Sequence, residues 1–467
     1  MKVVRVLVNS IYNIEVVEND HILLFNTLTK SLVKLNSKER DIYLQAVREK
    51  DFLHTHDALW RLLQNEGFLV SETTNEKRLC DYVFFDKIFS NKSLDITIIP
   101  TDHCNFRCVY CYEESKNHFM DDRVANSIIR YIEKSVRFYH ELSIDWFGGE
   151  PLLAKNRVIE MMQRIKETCR KNGVVMSSVM ATNGYELDLE TFTKLMSYGV
   201  RAFHISIDGN QVTHNRQRPH FSDPDSYTKI MGNLLQISRN IRSNRDRFSI
   251  GIRMNVSQEN FYAVQEFADM FEKNFKDDKR FNIVWQWVRD WGGSRIRDNG
   301  TIDSLVSEES CVNLYDYSLS RGLLSDERLS CNSGREYCSA SKNNGFVINY
   351  DGQIYKCSMA MEKREYRDIA HIGCIDPYGR LVFDNRKASE WIIPKQILSD
   401  CNTCAYYPMC MGAACPLSDN IIKGESRCMV YRSMMSQQIR NKKLHGKCKT
   451  IVSTMDGGYQ YESLFAD

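Results

Sequence analysis

The sequence predicts an α/β protein: an open barrel of six β/α units, with a small winged-helix-like module before it and a cysteine-rich region after it. Three observations predict this. Apolar, β-branched runs alternate with helical windows between residues 94 and 300. Three short strand patterns followed by two helical ones occupy the first 92 residues. Cysteines crowd between Cys331 and Cys428, where periodicity fades. At 467 residues the chain is too long for one ordinary core.

In the first module, residues 1–92, strands are expected at Tyr12–Val17, His21–Thr27 and Ser31–Leu35. Asn36-Ser-Lys-Glu39 reads as a helix start, with Glu three residues after a capping Asn. Helices follow at about Lys38–Lys50 and His56–Glu66, then a stop at Gly67 and a short strand at Phe68–Val70. In residues 93–310, strands are expected at Leu94–Ile99, Leu142–Phe147, Val175–Ala181, Ala202–Ile207, Phe248–Asn255 and Phe281–Trp287. Helical windows lie between them at Asp122–Phe138, Asn156–Cys169, Leu189–Met196, Tyr227–Arg239 and Asn260–Phe275. Six units in series imply parallel strands with right-handed crossovers, a TIM-like barrel two units short of closure. Active sites in such sheets lie at the carboxyl ends of strands. Residues 311–435 form the cysteine-rich region, which metal clusters more than a hydrophobic core would hold together. Residues 436–467 read as a polar tail with a basic run at Arg440–Lys449.

A net charge of +2 with no basic field gives no sign of nucleic-acid binding. No apolar run approaches the ~20 residues that cross a bilayer, and Met1–Ser10 lacks a signal-peptide pattern, so a cytoplasmic protein is expected. Sixteen cysteines in a reducing compartment point to metal ligands or reactive thiols rather than disulfides.

The most informative of them are Cys104, Cys108 and Cys111, spaced C-x3-C-x2-C with Tyr110 before the last. Structural zinc sites close with four protein ligands. Three thiolates on a cubane 4Fe–4S cluster leave one iron open to a small molecule. The segment resembles the signature of radical SAM enzymes. Trp146-Phe-Gly-Gly-Glu-Pro151 is similar to that family's Gly-Gly-Glu motif, in which Gly148, Gly149 and Glu150 would receive the methionine part of S-adenosylmethionine (SAM). Ala181-Thr-Asn-Gly184, ending the third strand, resembles the segment near the SAM ribose and brings in Asn183. By the same resemblance Ser206 and Arg253 would hold the SAM carboxylate, with Asp208 beside them and Tyr110 on the cluster loop. From the residues alone, Gly148–Glu150 also fit a plain strand-to-helix turn, Ser206 and Asp208 turn formation, and Arg253 a structural ion pair. The resemblance implies that a reduced cluster cleaves SAM to a 5′-deoxyadenosyl radical, which takes a hydrogen atom from substrate.

The second cysteine field resembles the SPASM extension of radical SAM enzymes, which carries two auxiliary 4Fe–4S clusters. The resemblance assigns Cys401, Cys404, Cys410 and Cys428 to one cluster. It assigns Cys338, Cys357 and Cys415 to the other, with Cys331 as fourth ligand and Cys374 as its rival. Four residues rather than the usual three separate Cys410 from Cys415, and Cys401-x2-Cys404 also suits zinc. Cys80, Cys169, Cys311 and Cys448 have no partner by spacing, and Cys169 fits a helix core. His214-Asn-Arg-Gln-Arg218 fits either a cavity lining or a solvated loop. Asp290 and Asp351 are among several possible bases, and no catalytic base is assigned.

Members of the SPASM group mostly modify peptides or proteins. The first 92 residues resemble an element that binds a precursor's leader peptide by strand addition; a structural cap on the barrel is the other reading. The resemblance implies a maturase that crosslinks a ribosomally made precursor peptide, with SAM, three 4Fe–4S clusters and a one-electron donor such as flavodoxin or ferredoxin. A sulfatase-type maturase and a catalytically silent peptide-binding scaffold are the alternatives.

Overall fold

The computed structural model describes residues 7–288 apart from 19–20, 49–56 and 242–246, scattered positions between 295 and 323, residues 338–410 apart from 363 and 393–398, and residues 439, 449–453 and 459–462. The chain divides into two compact units. One joins residues 1–88, 326–338 and 394–467; the other joins residues 89–325 and 339–393.

In the first unit, β1 (Leu7–Asn9) pairs with β5 (Leu69–Ser71), and β2 (Asn13–Glu18), β3 (His21–Asn26) and β4 (Ser31–Asn36) form an antiparallel meander. Helix α1 (Ser37–Arg48) starts on the predicted capping box: Asn36 Oδ1 accepts from the Glu39 N–H at 3.1 Å, and Glu39 accepts from the Asn36 N–H at 2.9 Å. Helix α2 (Asp57–Asn65) ends at Gly67, whose φ of +81° favours glycine. Ile22, Leu24, Val33 and Leu35 pack on Tyr43, Leu59, Trp60 and Leu63, the apolar faces of these helices.

Two features depart from the sequence reading. Helix α3 (Glu76–Ile88) was not foreseen; it buries Cys80, Phe84 and Ile88 and exposes Leu79, Tyr82 and Phe85, so no single apolar face marks it. The residues read as a polar tail contribute strands: β16 (Lys449–Ser453) pairs parallel with β4, and β17 (Tyr459–Glu462) pairs with β16. The sheet order is β17-β16-β4-β3-β2.

The second unit is built on β6 (Ser93–Ile98), β7 (Glu141–Trp146), β8 (Val175–Thr182), β9 (Ala202–Ser206), β10 (Ser249–Val256) and β11 (Phe281–Trp287). They are parallel and lie side by side in chain order. Between them run α4 (Asp122–Ser135), α5 (Lys155–Asn172), α6 (Leu189–Ser197), α7 (Gln211–Gln217), α8 (Ser226–Asn240) and α9 (Val264–Phe275). Asp121, Asp188 and Asn210 cap α4, α6 and α7 by accepting backbone N–H bonds of 2.7–2.9 Å. Asp188→Ala is expected to lower stability by about 1 kcal/mol in urea unfolding without moving any site residue.

β6 does not pair with β11, so the barrel is open. Its free side takes β12 (Gly345–Ile348) in parallel, followed by antiparallel β13 (Gln353–Tyr355), β14 (His371–Ile375) and β15 (Leu381–Phe383). Phe346, Ile348, Ile354 and Ile372 join the same core as Ile96, Ile144 and Trp146. Residues 345–383, part of the stretch expected to depend on metal, are thus held by the barrel's hydrophobic core. Their strands escaped notice because they are three to five residues long and the first of them, β12, pairs with a strand about 250 residues earlier in the chain.

Candidate active site at the carboxyl ends of the barrel strands

Cys104, Cys108 and Cys111 follow β6 on a loop; Cys108 is buried and the other two half-buried. The loop is fixed on two sides. Towards β7, Gly149 donates to the Thr101 carbonyl (3.2 Å) and Glu150 N–H to the His103 carbonyl (2.8 Å). A Cβ on Gly149 would lie 2.4 Å from the His103 carbonyl oxygen, and one on Gly148, at φ +112°, 2.5 Å from that of Thr101. The two glycines therefore admit the cysteine loop's own backbone. Towards β9, Arg107 donates to Pro219 O (2.8 Å), Val109 to Gln217 O (3.0 Å), and Phe221 to Asn105 O (3.0 Å).

Burial raises the proton affinity of all three thiols, and Cys111 is pushed up to about 12, by desolvation first and then by Glu113. Three enclosed sulfurs on one loop need a positive charge to become thiolates. A cluster iron supplies it, and the Phe106 N–H already donates to Cys104 Sγ at 3.4 Å. The donor set fits a 4Fe–4S cluster with three protein ligands.

The remaining predicted residues converge on this loop. Glu150, 1% exposed, accepts from Leu152 N (2.9 Å), Thr182 Oγ1 (2.7 Å) and Asn183 N (2.6 Å). Three of a carboxylate's roughly four acceptor positions are thereby filled from within the chain. Burial is the main influence on its pKa and raises it. Asn183 donates to Asn105 Oδ1 (2.8 Å). Ser206 and Arg253 are directly paired across β9 and β10, and Ser206 Oγ accepts from Arg253 Nε (3.2 Å) and Nη2 (2.9 Å). Nη1 has no hydrogen bond among the described residues. Asp208, fully buried, accepts from Tyr110 OH and from Asn255 N (2.8 Å). Tyr110 OH in turn accepts from Asn255 Nδ2 (2.8 Å) and Arg218 Nη1 (2.7 Å).

Asn105, Asn255 and Arg218 are the site residues that sequence reasoning did not assign. Asn255 sat inside a strand window. His214 and Arg218 are not part of a solvated loop: His214 lies on α7 and Arg218 just after it, at 0% and 5% exposure.

A cavity beside the loop is lined by Asp102, Glu113, Gly148, Gly149, Tyr350 and Arg367, among others. His118 bonds Asp102 (2.7 Å) and stacks on Tyr350, centroids 5.0 Å apart. Tyr350 lies in the β12–β13 turn, whose strand leads into Cys357. Asp351 accepts from Gln353 N in the same turn (3.0 Å). Asp290 lies outside the described residues.

Of the auxiliary cysteines, Cys331, Cys415 and Cys428 lie outside the described residues, as do Cys311 and Cys448. Cys357 belongs to the barrel unit; Cys338, Cys401, Cys404 and Cys410 belong to the first unit. Cys401 and Cys404 share a tight turn, Cys404 N–H donating to Cys401 O at 3.4 Å. Cys374 stands opposite Gln353, four residues from Cys357. Cys169 is core, 2% exposed on α5.

Leu142, Ile144 and Trp146 of β7 face the helices, so Asp145 faces the lumen. Desolvation, and then Asp95, raise its carboxyl to about 6 against the pull of Lys342. A carboxyl raised above its unfolded value near 3.9 costs stability as it ionises. Wild type should therefore lose ground to Asp145→Asn as pH rises from 4 through 6, and thermal melts across that range should show a gap opening. A gap that stays constant would contradict the raised carboxyl.

Residues 98–240 match the Radical SAM superfamily. The serine-type anaerobic sulfatase-maturating enzyme of Klebsiella aerogenes is 22% identical over 361 residues, 71% of this chain and 82% of that one. The cysteine-type anaerobic sulfatase-maturating enzyme of Clostridium novyi is 24% identical over 351 residues, 68% and 87% of the two chains. Among solved structures, native anSMEcpe with bound AdoMet and Cp18Cys peptide has a TM-score of 0.56 at 19% identity, covering 75% of this chain and 99% of that one, a likeness of fold. A cysteine-triplet loop docked on a Gly-Gly-Glu turn, at the carboxyl end of an open parallel barrel, falls within that match and marks residues 98–240 as a radical SAM domain.

Proposed function

We propose that this enzyme modifies a ribosomally made precursor peptide, installing a thioether or carbon–carbon crosslink. The observation that carries the reading is the first unit. A small sheet with α1 to α3 precedes the cysteine loop, and its outer strands among the described residues are β2 and β17. An outer strand offers unpaired backbone groups to a leader peptide.

Cys104, Cys108 and Cys111 would hold the catalytic cluster, and Arg253, fixed by Ser206, would turn Nη1 to the SAM carboxylate. When bound, the cluster and SAM supply a 5′-deoxyadenosyl radical that removes a hydrogen atom from the peptide. The chain's own task is orientation. Asp208 and Asn255 fix Tyr110, Asn183 fixes Asn105, and the loop cannot shift without breaking both pairs. Cys401, Cys404, Cys410 and Cys428 would hold one auxiliary cluster, and Cys331, Cys338, Cys357 and Cys415 the other. We further infer a cytoplasmic setting and a flavodoxin- or ferredoxin-type electron donor. No helix among the described residues is long and apolar enough to cross a membrane.

Sulfatase-type maturation is the second reading, favoured by the relatives' activity over most of the barrel. Co-expression with a small peptide encoded beside the gene separates the two. A crosslink removes about two hydrogens and leaves no aldehyde, whereas formylglycine reacts with a hydrazide probe. Iron near about twelve per chain would support three clusters, and about four would remove the auxiliary pair.

A further inference from the structure

The buried cation against the cysteine loop has no part in the assignments above. The loop and the segment after α7 pair like two antiparallel strands, with Phe106 opposite His220. The flanking bonds, Arg107 to Pro219 and Val109 to Gln217, continue that register and set Cys108 directly against Arg218. Neither 108 nor 218 joins this ladder through its own backbone, and side chains at such non-hydrogen-bonded pairs lie closest. Arg218 is 5% exposed. Its Nη1 donates to Tyr110 OH at 2.7 Å and its guanidinium lies 5.6 Å from the Phe106 ring centroid, while Nε is buried with no partner.

Its nearest carboxylate, Asp208, does not neutralise it closely. The two stand 4.0 Å apart, with the Tyr110 hydroxyl bonded to both, and Asp208 also accepts from Asn255. A buried guanidinium missing one hydrogen bond is costly unless something accepts it. A sulfur-rich anion bound at Cys108 is an acceptor of the right sign.

We propose that Arg218 is a positioning residue that serves as the buried counter-cation of the catalytic cluster, raising its midpoint potential and holding Tyr110 beside Cys111. One-electron reduction adds a negative charge to the cluster. A fixed cation nearby in a low-dielectric site favours the reduced state. The proposal rests on the reading of Cys104, Cys108 and Cys111 as cluster ligands.

The test is an EPR-monitored dithionite titration of the anaerobically reconstituted full chain, with and without SAM. The signal that SAM alters identifies the catalytic cluster among the others. Arg218→Gln should lower its reduced-to-oxidised ratio at the wild-type midpoint at least tenfold, a shift of about 59 mV or more to negative potential. Arg218→Lys, which keeps the charge, should move less than half as far. Asp208→Asn, which removes the opposing charge, should move the midpoint to positive potential. Should Arg218→Gln fail to hold the cluster, the Asp208→Asn shift still decides: a midpoint that stays put or moves to negative potential overturns the proposal. The proposal is overturned if the glutamine and wild-type midpoints agree within twofold in that ratio, or if lysine shifts as far as glutamine. Loss of the SAM-responsive signal from all three variants would equally overturn it, leaving Arg218 a purely structural tie. No SAM-responsive signal in the wild type would instead refute the cluster assignment.

Discussion

Cys108→Ala is expected to abolish formation of 5′-deoxyadenosine from SAM while leaving the chain folded. Cys108 is the buried member of the triplet and sits mid-loop, with Val109 pinned to Gln217 and Arg107 to Pro219. The backbone bonds that shape the loop survive the substitution, so the loss falls on the cluster and not on the fold. Iron should drop by about four per chain. Cys169→Ala is the matching control. Cys169 is more deeply buried, but it packs in α5 away from the loop, and its variant should lose about 1 kcal/mol of stability and no activity. If Cys108→Ala makes 5′-deoxyadenosine as well as wild type, the radical reading fails.

Gly149→Ala should be the most damaging methyl group that can be added near the site. It meets main-chain oxygens of Asp102 and His103 at 2.6 and 2.4 Å, and backbone cannot step aside as a side chain would. Overpacking of this kind costs about 3 kcal/mol or more, or else pushes the loop off the β7 end. Either way the expected result is a lowered urea midpoint together with loss of cluster absorbance. Gly232→Ala in α8 isolates the intrinsic effect of removing a glycine. Nothing lies within 4 Å of its new methyl, and the variant should gain about 0.5–1 kcal/mol. A Gly149→Ala protein with wild-type stability and full cluster loading would show that the loop is not held by this contact.

The barrel was legible because short apolar, β-branched stretches alternate with helical windows along the chain. Phe281–Trp287 matches its observed strand end to end, and the strands from Leu94 to Asn255 differ by a residue or so. Helix α1 was legible through its capping box. Helix α3 was not, because Leu79, Tyr82 and Phe85 break the apolar periodicity that Cys80, Phe84 and Ile88 establish. Strands β12 and β16 were hidden because each pairs with a strand hundreds of residues earlier, and β13, β14, β15 and β17 because they are only three to five residues long. At the site, the cysteine spacing announced a cluster, but the polar residues around it could only be named singly. That Asp208, Asn255, Tyr110 and Arg218 form one hydrogen-bonded group depends on α7 folding back beneath the loop, which a segment of His, Asn, Arg and Gln does not advertise.

The pairing of β16 with β4 has a consequence for the order in which the chain is made. Lys449 lies beside Ser31, 418 residues later in the chain (449 − 31 = 418). At roughly 5–20 residues per second a ribosome needs about 20–80 s to span that gap. During that time β4 presents a bare edge, while residues 89–325 have already emerged with every strand from β6 to β11. Every parallel strand of the barrel is thus made before β16 can complete the sheet of the first unit.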